Sequence, residues 1–190
     1  GCNMNHPERL GRYSITGVLG EGAMGVVYKA FDPVIKRALA IKTIRRQLDD
    51  GDTSVDSYAA RFRNEAEAAG RLQHPGIVAV YEYGEDDARA FITMEFVEGT
   101  SLALLIARKT VFSIAEIVDI VAQLLEALHH AHEQGVWHRD IKPANLILTP
   151  AGRVKIADFG IARIESAALT QVSSTIGTPG HMAPVQYLGD

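Results

Sequence analysis

The chain has 190 residues, of which 47% are hydrophobic and 22% charged, and this composition indicates a globular protein rather than a disordered one. Its net charge of −4, with no long run of Lys and Arg, gives no reason to expect nucleic acid as a partner. The single cysteine, Cys2, excludes an internal disulfide framework. No apolar run is long enough to cross a bilayer and no signal-peptide pattern is present, so the expected setting is cytoplasmic unless an anchor lies outside this segment.

The first half of the chain is predicted to be rich in strands. After a polar lead at residues 1–12, apolar and β-branched residues predict strands at 13–19, 26–31, 38–44, 77–83 and 90–97. One helix, ending near Leu72, interrupts this series. After Gly99 the pattern becomes mainly helical.

A glycine-rich segment, LGEGAMGVV at residues 19–27, follows the first predicted strand. Glycines without Cβ atoms allow the backbone to approach phosphate oxygens and to offer them N–H donors. The same spacing also opens dinucleotide-binding helices, but here Val26, Val27 and Tyr28 continue as a strand. The segment is therefore predicted to be a hairpin flap over phosphates. No G-x-x-x-x-G-K-[ST] run supports a P-loop.

Lys42 ends the apolar run Leu39-Ala40-Ile41-Lys42, and a lysine in a buried strand is costly unless it is paired. In the helix that follows, Glu65 shares an apolar stripe with Phe62, Ala69 and Leu72, whereas Glu67 falls off that stripe. We therefore expect Lys42 to pair with Glu65. The alternative is a lysine that reaches solvent and a solvated glutamate.

A long amphipathic helix is predicted from Ser113, with Glu116 at the capping-box position, to Gly135. Its large aliphatic residues recur at threes and fours: Ile114, Ile117, Val118, Val121, Leu124, Leu125 and Leu128. His129 and His132 share a face near its end, but zinc needs three or four ligands and the sequence offers no partners to complete the set. Packing is the expected role of these histidines.

The segment WHRDIKPAN at residues 137–145, followed by Asp158-Phe159-Gly160, carries the groups that phosphoryl transfer needs. Asp140 could orient a hydroxyl and Lys142 could neutralise a phosphate. Asn145 and Asp158 could hold magnesium. Short strands predicted at 146–148 and 154–157 place Asn145 and Asp158 on neighbouring loops.

These two motifs resemble the catalytic loop and the magnesium loop of the protein kinase family, and the resemblance extends from Tyr13 to Gln186. The overall pattern resembles most the bacterial eukaryotic-type serine/threonine kinases. Lys142 favours the serine/threonine branch, because tyrosine kinases usually carry Ala-Ala-Arg or Arg-Ala-Ala there. The resemblance implies a two-lobed α+β fold, with an antiparallel-sheet N-lobe and helix C at 13–97 and a helical C-lobe from 98 to 190. It also implies ATP and Mg²⁺ as cofactors, protein Ser/Thr hydroxyls as substrates and a homodimer for trans-autophosphorylation.

The resemblance assigns roles residue by residue. Asp140, Lys142 and Asn145 are the catalytic residues, Asn145 and Asp158 are the metal ligands, and His138 braces the catalytic loop. Met94 is the gatekeeper before the hinge. The residues expected at the ATP site are Leu19, Gly20, Glu21, Gly22, Ala23, Met24, Gly25, Val27, Ala40, Lys42, Glu65, Met94, Glu95, Val97 and Ile147.

The segment after Asp158 resembles an activation loop. The Arg139 guanidinium is expected to bind a phosphorylated residue of that loop. The candidate phosphorylation sites are Thr170, Ser173, Ser174 and Thr175. Thr178 resembles the threonine that hydrogen-bonds the catalytic loop.

Two departures support an alternative interpretation. Ala183-Pro184-Val185 replaces the family's Ala-Pro-Glu, and the later C-lobe helices do not follow before Asp190, so we expect an incomplete C-lobe. The alternative is a non-catalytic ATP-binding or regulatory kinase fragment. A small-molecule phosphotransferase of the kinase-like superfold fits the activation-loop features less well.

Overall fold

The computed structural model describes residues 6–21, 25–45, 53–86, 88–138 and 140–157. Its larger sheet has six antiparallel strands, in the order β1-β2-β3-β4-β6-β5. These are β1 (Arg9–Leu10), β2 (Tyr13–Glu21), β3 (Val26–Asp32), β4 (Arg37–Arg45), β5 (Val80–Glu85) and β6 (Arg89–Glu95).

Each face of the sheet carries an apolar cluster, because successive side chains of a strand point to opposite sides. On β3, Tyr28 belongs to the apolar cluster on one face, whereas Val27 belongs to the cluster on the other. The first cluster includes Leu10 and Tyr13, which cover the outer face. The second faces the helix and the rest of the chain.

Helix α1 (Thr53–Gly70) lies on the inner face and packs against β5. Its stripe is confirmed, since Phe62, Ala69 and Leu72 are all buried. Glu67 is exposed and pairs with Arg63 one turn earlier, as expected for a residue off the stripe. Although the helix ends at Gly70, two residues before the predicted end, Leu72 still joins the core.

The second half contains short strands and helices. They are β7 (Thr100–Ser101), α2 (Leu102–Ala107), α3 (Ile114–Glu133), a 3-10 helix (Pro143–Asn145), β8 (Leu146–Leu148) and β9 (Val154–Ile156). The three strands form an antiparallel sheet in the order β7-β8-β9. Among the described residues, no helix combines the length and the hydropathy that a membrane crossing requires.

The predicted ends of α3 are confirmed. The Ser113 hydroxyl accepts a hydrogen bond from the Glu116 backbone N–H at 3.1 Å and caps the helix N-terminus. At the other end Gly135 adopts a φ of 74°, a conformation that favours glycine. The Val136 N–H then donates to the Ala131 carbonyl, so the chain turns back across the end of the helix.

The packed face of α3 is narrower than its apolar stripe. Ala127 and Ala131 are buried, and Ile120, Leu124 and Leu128 pack partly against the same cluster. The other large residues of the stripe are exposed in the structure: Ile114, Ile117, Val118, Val121 and Leu125.

Several boundaries differ from the sequence-based expectations. Strand β5 begins at Val80 rather than at Ile77, and the Val78 N–H before it donates to the Ile156 carbonyl of β9. Strand β6 ends at Glu95 rather than at Val97. The lead predicted for residues 1–12 contains β1, whose Leu10 is buried. Elements as short as β1, β7 and α2 lack the length over which a periodic pattern becomes visible.

Candidate active site

The candidate catalytic segment, residues 137–145, begins at the turn that ends α3. Val136 is buried in the cluster beneath α3, and this anchors the start of the segment. Trp137 is exposed and its ring stacks on His132 of α3, with 3.9 Å between ring centroids. The chain then turns inward, so that His138 is only 2% exposed.

His138 braces the loop through both ring nitrogens. Its Nε2 lies 2.7 Å from the Ala157 carbonyl oxygen, which can only accept, while its Nδ1 accepts from the Asp140 N–H at 3.1 Å. These two partners require the neutral ring with the proton on Nε2. Burial is the main reason that the pKa of His138 is lowered, and nearby Lys142 lowers it further. Its bond to Ala157 and the charge of Asp140 oppose this shift.

Asp140, Lys142 and Asn145 are brought together on this loop. The Lys142 Nζ lies 3.0 Å from the Asp140 Oδ2, and both side chains remain partly exposed. Asn145 is buried and its side-chain amide donates to the Asp140 backbone carbonyl at 3.0 Å. The Asn145 backbone carbonyl accepts from the Ala157 N–H at 2.9 Å. Ala157 therefore connects the loop to the position that directly precedes Asp158.

The apolar residues expected at the ATP site lie in one cluster. Five strands and the segment after β6 contribute to it, and each member is nearly fully buried: Leu19, Val27, Ala40, Met94, Val97 and Ile147. Ala157 belongs to the same cluster. The cluster therefore adjoins the bonded network of the catalytic segment.

Lys42 lies in the middle of the larger sheet, opposite Val27 of β3 and Ile92 of β6. It is 7% exposed, which agrees with the expected buried position. Glu65 is half-buried on the face of α1 that carries Phe62. The pairing of Lys42 with Glu65 stays a prediction.

Gly25 has a structural role that its glycine motif does not reveal. A Cβ at this position would lie 1.9 Å from the Thr43 carbonyl oxygen on β4. The Val26 N–H donates to the Thr43 hydroxyl at 3.1 Å, and that hydroxyl donates to the Val26 carbonyl at 2.7 Å. The return strand of the flap is therefore joined closely to the strand that carries Lys42.

A second close approach occurs after β6. A Cβ on Gly99 would lie 2.7 Å from the Leu148 carbonyl oxygen, so the backbone contact with β8 requires glycine. The next residues pair with that strand, Thr100 with Leu148 and Ser101 with Ile147. The segment leaving β6 is thus attached to the strand that directly follows Asn145.

The sequence-based reasoning also missed an ion pair between the two sheets. Lys155 Nζ of β9 lies 2.5 Å from Glu95 Oε1 at the end of β6. The two residues are sixty positions apart in the chain, so no local pattern could indicate the contact.

The other candidate histidines contact neighbouring side chains. His129 lies 3.3 Å from Glu133 on the same helix, and His130 faces His74 with 5.1 Å between ring centroids. In the described part of the chain, no group of three or more His, Cys, Asp or Glu is arranged to hold a metal ion.

Several predicted site residues lie outside the described residues. They are Gly22, Ala23, Met24, Arg139, Asp158, Thr170, Ser173, Ser174, Thr175 and Thr178.

The protein kinase domain model matches residues 13–186 of this chain. The chain belongs to the protein kinase family. The matched range agrees with the extent of the resemblance found in the sequence, and it includes both the flap and the catalytic segment.

Curated kinases from several bacteria are similar over nearly the whole chain. A probable serine/threonine-protein kinase of Streptomyces coelicolor is 41% identical, with 98% of this chain and 28% of the relative covered. PknD of Mycobacterium tuberculosis is 40% identical over 96% of this chain and 27% of its own length. PrkC of Bacillus subtilis is 38% identical over 94% of this chain and 27% of its own length. The chain thus spans little more than a quarter of the length of these relatives.

The fold agrees with this assignment. The crystal structure of the Mycobacterium tuberculosis PknI kinase domain superposes with a TM-score of 0.67 and 35% identity, covering 80% of this chain and 61% of that one. The expected two-lobed α+β kinase fold is confirmed.

Proposed function

We propose that this chain supplies the ATP-binding and catalytic residues of a serine/threonine protein kinase, which transfers the γ-phosphate of ATP to protein hydroxyls. The observation that carries the proposal is the bonded network around Ala157. It holds His138, Asp140 and Asn145 in one arrangement beside the apolar cluster. Phosphoryl transfer depends on this kind of positioning more than on covalent chemistry.

The adenine ring is proposed to lie in the apolar slot, between Leu19 and Val27 on one side and Ile147 on the other. The backbone of Glu95 and Val97 would supply the polar contacts. Because the Glu95 N–H already donates to the Ala79 carbonyl, Glu95 would use its own carbonyl. Lys42 would contact the α- and β-phosphates beneath the glycine flap, with Glu65 as its partner.

The two side chains proposed as metal ligands suit Mg²⁺. The Asn145 side-chain oxygen and the Asp158 carboxylate are hard oxygen ligands, and Mg²⁺ is usually bound by one or two such groups together with substrate phosphates. When bound, the ion neutralises charge on the phosphate oxygens. The buried amide of Asn145 donates to Asp140, and this bond orients the side-chain oxygen that would serve as a ligand.

The residues of the loop have separate roles in the proposed transfer. The Asp140 carboxylate would accept a hydrogen bond from the attacking hydroxyl and orient its oxygen toward the γ-phosphate. The Lys142 ammonium would stabilise the negative charge that the transferred group carries. The ion pair between Lys142 and Asp140 keeps both groups on the same side of the loop.

The test combines nucleotide binding with transfer. Excess Mg-ATP should stabilise the chain against heat, by about 2.7 kcal/mol at a hundred times the dissociation constant. Transfer from labelled ATP to a basic protein substrate should fall by at least about 100-fold in Asp140→Asn, with nucleotide binding retained. Asp119→Asn on the exposed face of α3 is the matched control and should leave both readouts unchanged. A folded sample with no thermal shift at millimolar Mg-ATP would refute the proposal.

A non-catalytic ATP-binding chain is the second candidate, and the exposed face of α3 favours it. Five large aliphatic side chains of that helix are exposed in the structure, and burying each would contribute roughly 1.5–3 kcal/mol. Without that contribution, the loop that α3 anchors would be held less firmly. Binding of Mg-ATP without transfer above the Asp140→Asn background would support this candidate.

Protein Ser/Thr hydroxyls are the proposed substrates, by similarity to the named kinases. Trans-autophosphorylation between two copies of the kinase is part of the proposal. ATP as the phosphate donor favours a cytoplasmic setting.

A further inference from the structure

Glu95 and Lys155 form an ion pair that none of the sequence motifs indicates. Glu95 is the last residue of β6, where the segment proposed to contact adenine begins. Lys155 is the middle residue of β9, three positions before Asp158. The pair therefore connects the two ends of the proposed nucleotide site.

The backbone between these residues forms a continuous ladder. The Glu95 N–H donates to the Ala79 carbonyl at 2.8 Å, and the Ile156 N–H of β9 donates to the Gly76 carbonyl at 2.8 Å. The Val78 N–H donates to the Ile156 carbonyl at 2.9 Å. Residues 76–79 thus lie between β6 and β9, and the Lys155 side chain reaches across them.

A backbone hydrogen bond also orients the carboxylate of Glu95. Its second oxygen, Oε2, accepts a hydrogen bond from the Ala79 N–H at 3.2 Å. The side chains of Lys155 and Glu95 are only 18% and 26% exposed, so water and salt screen their attraction less than that of a surface pair. A preoriented, partly buried pair loses less side-chain entropy than two free surface chains.

We infer that Glu95 and Lys155 are a positioning pair, which sets the separation between the adenine end and the metal end of the site. Neither side chain needs to contact the nucleotide for this. Beyond Lys155, the strand continues through Ile156 to Ala157, whose two backbone groups bond His138 and Asn145. The inference rests on the proposed function, since it specifies how that site holds Mg-ATP.

The affinity of a ligand that contacts only one end of the site should not depend on the ion pair. Adenosine would use the apolar slot and the backbone at the end of β6, whereas Mg-ATP would also use Lys42, Asn145 and Asp158. The benefit of binding both ends at once requires the two ends to be held at the right distance. Loss of the ion pair should therefore weaken the binding of Mg-ATP more than the binding of adenosine.

The experiment measures dissociation constants for adenosine and for Mg-ATP by calorimetry, with the full 190-residue chain. Lys155→Met should raise the constant for Mg-ATP about five- to tenfold and that for adenosine less than about twofold. Glu95→Gln and the double variant should resemble the single variant, because the second change removes an interaction already lost. Lys155→Arg should restore most of the Mg-ATP affinity.

Arg63→Gln is the matched control, because it removes an exposed ion pair on α1 with Glu67. It should change neither constant. An equal rise of both dissociation constants in Lys155→Met would indicate a general loosening of the fold and would overturn the inference. An unchanged dissociation constant for Mg-ATP would overturn it as well. In both cases the wild-type chain still binds Mg-ATP, so the proposed function survives. Absence of Mg-ATP binding by the wild-type chain would overturn both.

Discussion

Replacing Gly25 with alanine should destabilise the protein through a backbone collision. The added Cβ would lie 1.9 Å from the Thr43 carbonyl oxygen, 2.8 Å from its carbonyl carbon and 3.2 Å from the Ile44 Cα. All three atoms belong to the backbone of β4, so no side-chain rotation can relieve the contact. The strands would have to separate by about 1.5 Å to reach ordinary contact.

That separation would also break the two buried bonds between Val26 and the Thr43 hydroxyl. Overpacking costs about 1–3 kcal/mol and each of the two lost hydrogen bonds about 1 kcal/mol, so the free energy of unfolding should decrease by about 3–5 kcal/mol. Since Lys42 directly precedes Thr43, the affinity for Mg-ATP should also fall, by about tenfold.

Urea unfolding followed by circular dichroism measures the stability change, and calorimetry measures Mg-ATP binding. Gly17→Ala on β2 is the matched control, because a Cβ there meets nothing within 4 Å. It should be neutral or stabilising by about 0.4–1 kcal/mol, since alanine restricts the unfolded chain. A Gly25→Ala protein within about 0.5 kcal/mol of wild type would refute the reasoning.

Three further predictions concern ionisation and modification. Because burial lowers the pKa of His138, the unfolded chain binds a proton at this ring more readily, so the free energy of unfolding should decrease as the pH falls below the ordinary pKa of 6.5, by up to about 1.4 kcal/mol per pH unit. Urea unfolding at several pH values should show a shallower loss in His138→Gln, and equal slopes would contradict this. Burial and the hydrogen bond to Glu82 raise the pKa of Tyr13 to about 12, so the stabilisation from its neutral form should be lost as the pH rises above its ordinary value of 10.0. The ultraviolet titration should lack one late phenolate step in Tyr13→Phe, and an identical curve would count against the assignment. An active form of the full-length protein should carry phosphate on Thr170 first, as seen by mass spectrometry, and not in an Asp140→Asn protein. Phosphate absent from 170–175 in active enzyme would exclude this mode of regulation.

The sequence by itself determined the features that depend on local spacing. Helix periodicity separated Phe62, on the buried stripe, from Glu67, which is exposed. The cap at Ser113 and the stop at Gly135 follow from the chemistry of single residues. The candidate catalytic segment was predicted because phosphoryl transfer needs particular side chains at short offsets, and the structure brings Asp140, Lys142 and Asn145 together.

Only the tertiary structure decided the features that depend on the approach of distant segments. The ion pair of Glu95 with Lys155 joins two strands of different sheets, and the tautomer of His138 depends on Ala157. The need for glycine at position 25 arises from the backbone of β4 rather than from the flap alone. The exposed side of α3 was not visible in its pattern either, because periodicity gives the apolar residues of a helix but not which of them find a neighbour.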